Sequence, residues 1–175
     1  MRKSFAQFFL VASVVMWGTW FGGQFFNWAM VVPKRLSNPP ESIKAFEVIP
    51  QDGSFPFFLL NPFFFLLSLI ALLLAWKWAK QSRKWLLLTT AISFSVSVIL
   101  IFYLAPLIHS TDYIAGEESL PAQEIKARVS KWKTGNAIRL IVELFVFLFS
   151  VIALKTWSVE TNGVMPNKNK RVGPE

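Results

Sequence analysis

The sequence contains no cysteine and a single histidine, His109, among its 175 residues. Without cysteine the chain cannot form disulfides, thiolate metal sites, iron–sulfur clusters or a cysteine nucleophile. A single histidine excludes a haem with two histidine ligands and a metal centre built from several histidines. Charge is also scarce: Asp, Glu, Lys and Arg make up 16% of the chain, against roughly a quarter in an average soluble domain. No metal and no cofactor are therefore predicted.

Apolar residues account for 54% of the chain, and they fall in four long runs, about residues 5–32, 57–79, 85–108 and 136–157. A helix of about 20 residues crosses a hydrocarbon core of about 30 Å, and in lipid the backbone must satisfy its own hydrogen bonds. The first run is too long for a signal peptide and lacks a cleavage site. The sequence predicts an all-α, integral membrane four-helix bundle over residues 1–157, followed by a flexible tail at 158–175.

Basic residues are distributed unevenly between the connections. With four spans, the two termini and the middle connection share one side and carry ten basic and two acidic residues. The other two connections carry seven of each. Because cytoplasmic loops collect Lys and Arg, both termini are predicted to be cytoplasmic, in a bacterial inner (plasma) membrane. The net charge of +8 follows from this bias, and without a nucleic-acid motif no nucleic-acid partner is predicted.

Both outer connections carry signals of short helices. In the first, Asn38 is a capping residue followed by prolines, and the helix is expected to run to about Val48. In the second, Ser119 caps a helix with Pro121 in its first turn, and the helix leads into the fourth span at Gly135. Its apolar face is formed by Ile125, Val129 and Trp132.

One face of the first span carries indole and amide side chains at spacings of three, four and three, namely Trp17, Trp20, Gln24 and Asn27. The stripe is either a hydrogen-bond seam between helices or the wall of a ligand site. Gly18 and Gly22 form a G-x-x-x-G pair, which favours close helix packing. On the third span, three hydroxyls are expected to bond back to their own helix: Thr89, Ser93 and Ser97.

The fourth span contains an acid and a base within the membrane. Arg139 and Glu143 are four residues apart, so they share a face and can pair. Either the pair is structural and fixes helix packing, or it belongs to a buried polar site. At the outer end of the third span, Tyr103 and His109 are interfacial polar residues, or His109 is a general base or hydrogen-bond donor.

The strongly polar side chains cluster in the outer half of the predicted bundle, among aromatic residues. This distribution predicts a pocket for a flat, hydrophobic molecule with one or two polar atoms, such as an aromatic, quinone-like or lipid molecule. The predicted ligand-lining residues are Trp20, Gln24, Asn27, Tyr103 and Trp132. The candidate catalytic residues are Asn136, Arg139, His109 and Glu143.

Five short motifs follow one another along the chain. They are Pro33-Lys34-Arg35-Leu36, Pro39-Pro40-Glu41-Ser42-Ile43, Asn61-Pro62, Pro106-Leu107, and Trp132 with Asn136-Ala137-Ile138-Arg139. Their order and spacing resemble the anthrone-oxygenase-like family of small four-helix membrane proteins. The resemblance implies cofactor-free oxygenation of a polyphenolic anthrone to an anthraquinone. It also implies that Asn136 and Arg139 face the substrate, with Trp132 as a wall. His109 and Glu143 depart from the family pattern, and neutralisation of Arg139 by Glu143 would weaken anion stabilisation.

Two functions follow from these residues. In the first, the protein binds a hydrophobic molecule without catalysis, or is an accessory subunit whose partner is a membrane protein or a second copy of the chain. In the second, it is an enzyme in which Arg139 and Asn136 stabilise developing negative charge and His109 or Glu143 is the base. A transporter is a weaker third, because the membrane holds one acid–base pair and the sequence shows no repeat.

Overall fold

The computed structural model describes residues 2–38, 41–43, 60–77, 79–104 and 121–161. The helices are α1 (Arg2–Phe26), α2 (Val32–Arg35), α3 (Leu60–Ala75), α4 (Lys80–Ile99) and α5 (Ala122–Thr161). Two π-helical segments of five residues extend them, Asn27–Val31 between α1 and α2 and Leu100–Leu104 after α4. All secondary structure in the described ranges is helical, which confirms the all-α class.

Three helical stretches are long and apolar enough to cross a membrane: Lys3–Arg35, Lys80–Leu104 and Gln123–Thr161. They correspond to the first, third and fourth predicted spans, and they identify an integral membrane protein in a lipid bilayer. Helix α3 is also apolar but has 16 residues. The predicted second span begins at residue 57, and residues 57–59 lie outside the described part of the chain.

The long helices pack around a shared interior. Helix α1 contacts α3 and α5, and α4 contacts the same two helices. Large apolar side chains on their other faces are exposed, as with Phe8 at 65% and Phe102 at 77%. Such a continuous apolar exterior is expected of a surface that faces lipid tails rather than water.

Three apolar clusters follow one another along the helices. We call the end with the start of α1 and the end of α5 the inner end, and the opposite end the outer end. The inner cluster is built around Leu10, Leu86 and Trp157. The middle cluster contains Trp17, Trp20, Phe64 and Val146. The outer cluster contains Val32, Leu36, Ile43, Ile125 and Val129, with Trp28 and Trp132 packed against them.

Helix α5 is one continuous helix through Gly135, whereas the sequence predicted a separate loop helix before the fourth span. Gly135 lies where α5 passes close to the π-helical segment after α4: a Cβ atom there would lie 2.8 Å from Leu104 Cδ2. The predicted loop helix is thus the first part of α5. Of the other loop helix, residues 41–43 are helical. The remainder to Val48, like the cap at Ser119, lies outside the described residues.

The π-helical segment at Asn27–Val31 is followed by Pro33. Proline has no N–H for the carbonyl of Ala29, and its ring clashes with that carbonyl, so a regular α-helix cannot continue through this point. A widened π turn accommodates the clash without ending the helix. This explains how the helical stretch extends to Arg35 despite the proline.

The inner end is held by contacts between the start of α4 and the end of α5. The carboxylate of Glu160 accepts hydrogen bonds from the backbone N–H groups of Gln81, at 3.0 Å, and Ser82, at 3.3 Å. The Ser82 hydroxyl donates to the carbonyl of Ala153 at 2.9 Å. Glu160 thereby caps a helix whose own cap position, Ala79, makes no side-chain hydrogen bond.

Candidate polar site between α1 and α5

Two pairs of side chains connect α1 to α5 within the apolar interior. Trp20 Nε1 donates a hydrogen bond to Glu143 Oε1 at 3.0 Å. Arg139 Nη2 donates to Gln24 Oε1 at 2.7 Å. Trp20 and Gln24 are one helical turn apart, as are Arg139 and Glu143, so the two bonds form successive rungs between the helices. We call these four residues the polar site.

Arg139 and Glu143 also interact with each other. Arg139 Nε lies 3.7 Å from Glu143 Oε1, and their side chains are 7% and 0% exposed. The pairing predicted from their spacing is present, but the distance exceeds that of a charge-assisted hydrogen bond, about 2.7–2.9 Å. Two atoms remain without a hydrogen-bond partner among the described residues, Arg139 Nε and Glu143 Oε2.

Aromatic rings pack against Trp20, which bonds to Glu143. The ring of Phe64 packs edge-on against Trp20, with centroids 5.5 Å apart, and against Trp17 at 5.9 Å. Val146, on the next turn of α5 after Glu143, is fully buried in the same cluster. The charges therefore lie in surroundings of low polarity, where electrostatic interactions are strong and an unpaired charge is costly.

A second polar cluster lies one turn further inward. Trp17 Nε1 donates to Ser68 Oγ at 3.0 Å, and the hydroxyls of Ser13 and Ser68 are 2.9 Å apart. Together with the rungs of Trp20 and Gln24, this means that three members of the predicted stripe on α1 bond to other helices. The stripe was predicted to be either a hydrogen-bond seam between helices or the wall of a ligand site, and these contacts support the seam. Sequence reasoning missed Ser68, although it is the one hydroxyl within helix α3 and the one polar residue after Asn61.

The remaining candidates on α5 lie on the same face as the charged pair, at spacings of four, three and four residues. Asn136 is buried, at 5% exposure. Trp132 packs against Trp28, with ring centroids 6.4 Å apart, and its Nε1 has no hydrogen-bond partner among the described residues. Polar groups thus continue from Glu143 along α5 to the outer cluster.

Two of the other predicted site residues are exposed in the structure. Asn27 is exposed, and Tyr103 is 54% exposed on the π-helical segment after α4. His109 lies outside the described residues. The roles assigned to these three residues remain predictions.

The hydroxyls on α4 bond to their own helix, as predicted. Thr89 Oγ1 donates to the Trp85 carbonyl at 2.9 Å, and Ser97 Oγ donates to the Ser93 carbonyl at 2.9 Å. The predicted close packing at the glycine pair is found at Gly18, where a Cβ atom would lie 2.9 Å from Phe147 Cε2. At Gly22 a Cβ atom would have no neighbour within 4 Å.

The polar site combines a carboxylate oxygen able to accept a proton with a guanidinium N–H able to stabilise an anion. No group of three or more His, Asp and Glu side chains that could hold a metal ion occurs in the described residues. The geometry suits acid–base chemistry or hydrogen bonding to a small polar group in an apolar environment.

The fold and the site define an integral membrane protein with a buried ionic site. The sequence matches the anthrone oxygenase family over residues 55–149, more than half of the chain's 175 residues. The protein belongs to the anthrone oxygenase family. The matched region includes Arg139 and Glu143 but not their partners on α1. No curated protein and no solved structure matches the chain.

Proposed function

We propose that the protein binds a hydrophobic, aromatic molecule with a polar group at the polar site. The observation that carries this proposal is the pair of buried atoms without hydrogen-bond partners, Glu143 Oε2 and Arg139 Nε. Leaving a buried polar group unsatisfied costs about 1–3 kcal/mol, and more for a charged group. A ligand that bonds to both atoms would remove this cost. The aromatic rings of Trp20 and Phe64 supply a suitable apolar surface.

The architecture proposed with this function is a four-span bundle with both termini in the cytoplasm of a bacterial cell. The contacts of α1 and α4 with both α3 and α5 support it, because each helix then has two neighbours. The charge distribution supports the orientation. The polar site would then lie between the middle of the membrane and its outer face, with the outer cluster above it.

A second candidate function, oxygenation of an anthrone-like polyphenol, is favoured by membership of the anthrone oxygenase family. In this reaction a CH₂ group and one O₂ become a C=O group and one H₂O. The CH₂ group first loses a proton, and the resulting electron pair reduces O₂ with formation of a C–O bond. The peroxide then takes up a proton. Loss of the second C–H proton forms the carbonyl, breaks the O–O bond and releases water.

The residues of the polar site can be assigned to these steps. Glu143 Oε2, which has no hydrogen-bond partner in the described part of the chain, would accept the proton from the CH₂ group and return it to the peroxide. Arg139 Nε would stabilise the oxyanion formed when that proton leaves. Asn136 and Trp132 would contact the substrate on the outer side. His109 remains the alternative base.

The experiment is oxidation of a hydroxylated, polyphenolic anthrone by the detergent-purified protein, with the anthraquinone product and oxygen uptake measured together. The enzyme hypothesis requires one O₂ consumed per anthraquinone. If Glu143 is the base, Glu143→Gln should also lower the rate by about 10²–10⁴-fold, the usual contribution of a general base. Glu124→Gln is the matched control, because Glu124 is an exposed acid on the same helix.

Absence of turnover would contradict the oxygenase, whereas equal turnover in the Glu143→Gln variant would contradict Glu143 as its base. Mass spectrometry of molecules extracted from the purified protein separates the remaining alternatives. A bound aromatic or quinone-like molecule supports the ligand site. A stoichiometric protein partner without any bound small molecule would support the accessory-subunit hypothesis.

A further inference from the structure

Arg139 and Glu143 do not form the closed ion pair in which two hydrogen bonds join a guanidinium to a carboxylate. A guanidinium and a carboxylate that meet freely form two parallel hydrogen bonds of about 2.7–2.9 Å. In this protein the approach of Arg139 Nε to Glu143 Oε1 is 3.7 Å, even though both groups are buried and share one helix face. Some other contact must hold the two groups in this open arrangement.

The two rungs from α1 supply that contact. Gln24 Oε1 accepts the 2.7 Å hydrogen bond of Arg139 Nη2, which turns this end of the guanidinium toward α1. Trp20 Nε1 donates to Glu143 Oε1, the oxygen nearer to the arginine. Each rung uses one hydrogen-bonding position on an atom that could otherwise take part in the closed pair.

We propose that Trp20 and Gln24 are positioning residues, which hold Arg139 and Glu143 open so that Glu143 Oε2 and Arg139 Nε bind a single hydroxyl group of the ligand. The inference rests on the proposed ligand site and deepens it. A hydroxyl has one donor and two acceptor positions. Its proton is donated to Glu143 Oε2, and its oxygen accepts from Arg139 Nε.

This arrangement distinguishes hydroxylated from unsubstituted aromatic ligands. A hydrocarbon would leave both buried atoms unsatisfied, and an ether or ketone would satisfy the arginine alone. Discrimination is strong when a site is built to hydrogen-bond a hydroxyl, because the analogue without it leaves buried polar groups unpaired. If the pair closed instead, the charged atoms would satisfy each other and the preference for a hydroxyl would disappear.

The test compares two probes that differ only in the hydroxyl group, 1-naphthol and naphthalene. Their dissociation constants are measured by equilibrium dialysis with the full-length protein in one detergent. The ratio of the two constants is then compared between variants, which cancels partitioning into the detergent and any general loosening of the bundle. In the wild type the ratio is expected to favour 1-naphthol by about tenfold or more, the effect of a hydrogen bond to a charged group.

Two variants each remove one rung, Gln24→Leu and Trp20→Phe. The reference is Glu143→Leu, which lacks the carboxylate. In each rung variant the ratio of the two dissociation constants is expected to fall to within about twofold of the ratio in this reference. Trp17→Phe is the matched control. It removes an indole donor from the same helix, but this indole bonds to Ser68 and not to the ion pair. Its ratio should remain at the wild-type value.

Retention of the wild-type ratio in either rung variant would overturn the inference, as would an equal loss in Trp17→Phe. The rungs are tested separately, so one folded variant is sufficient. Equal binding of both probes by the wild type would overturn the inference and leave the ligand site standing. Failure to bind either probe would contradict the ligand site itself. Absence of anthrone turnover with an intact 1-naphthol preference would contradict only the oxygenase.

Discussion

Arg139 and Glu143 are retained in an apolar interior at a considerable energetic cost. A charged side chain near the centre of a bilayer costs several kcal/mol unless it is paired or hydrogen-bonded. Each member of the pair has one neutral partner on α1, Gln24 or Trp20, in addition to the other charge. The stability of the site therefore depends on four residues together, and removal of one charge leaves the other uncompensated.

The first prediction concerns this coupling. Arg139→Met and Glu143→Leu should each destabilise the protein by about 3–5 kcal/mol, as expected when one member of a buried pair is removed. The double variant should cost less than the two single effects added together, because no unpaired charge remains. Equilibrium unfolding in detergent measures all three differences.

An exposed pair on the same helix provides the control for this cycle. Arg128 Nη2 lies 2.8 Å from Glu124 Oε1, also at a spacing of four residues, with side chains 33% and 45% exposed. Its removal should change stability by no more than about 0.5 kcal/mol, the usual contribution of exposed helical pairs. Strict additivity at Arg139 and Glu143 would contradict the coupling.

The pairing could be predicted from the sequence, but its partners could not. A spacing of four residues places Arg139 and Glu143 on one face of any helix, whatever surrounds it. The contacts of Trp20 and Gln24 depend on the rotation of α1 relative to α5, which a single apolar run does not define. For the same reason the stripe on α1 left two alternatives open, and Ser68 was recognised as its partner only in the structure.

At the scale of elements, close approach of α1 and α5 depends on one glycine of the G-x-x-x-G pair. The Phe147 ring occupies the space beside Gly18, whereas Gly22 has open space. Alanine in place of glycine stabilises a helix by about 1 kcal/mol when nothing obstructs the methyl group. Overpacking costs about 1–3 kcal/mol.

The second prediction follows from this difference. Gly22→Ala should be at least about 1 kcal/mol more stable than Gly18→Ala, because only the Gly18 methyl group must displace a ring. Thermal unfolding of both variants in the same detergent provides the comparison, with each glycine serving as the control for the other. Equal melting temperatures would show that Phe147 moves aside without cost.

The third prediction concerns the cap that α5 provides for α4. Glu160→Ala removes the acceptor for the N–H groups of Gln81 and Ser82 and should destabilise the protein by about 0.5–2 kcal/mol. Glu160→Gln retains one acceptor oxygen and should cost less. The same unfolding assay measures both, and a Gln variant as unstable as the Ala variant would contradict a capping role.

The helices were predicted correctly where composition alone determines the secondary structure. Apolar runs long enough for a membrane indicated the helices, since lipid permits little else. The continuous α5 was not predicted, because Gly135 suggested a junction between the loop helix and the fourth span. In the structure this glycine lies within α5 and allows close contact with Leu104. A proline two residues after each π-helical segment is the feature of the sequence that indicates these segments.

At the scale of the whole molecule, orientation in the membrane decides which compartment the outer cluster faces. The packing of the helices is compatible with either orientation, since lipid covers their outer faces in both. On the proposed four-span topology, ten Lys and Arg residues lie on the side of the termini, and seven, balanced by seven acids, lie on the other side. This difference in basic residues is the property that distinguishes the two orientations. The orientation therefore requires a direct experiment.

The fourth prediction is that Gln123 is accessible from outside the cell and Gln81 is not. Both are exposed glutamines near the start of a helix, α5 and α4 respectively, so Gln123→Cys and Gln81→Cys form a matched pair. The chain has no native cysteine, and each variant thus carries a single thiol. An impermeant thiol reagent added to intact cells should label Gln123→Cys alone, and permeabilised cells should show labelling of both. Labelling of Gln81→Cys but not Gln123→Cys in intact cells would reverse the orientation and place the termini outside, because an impermeant reagent reaches only the outer face.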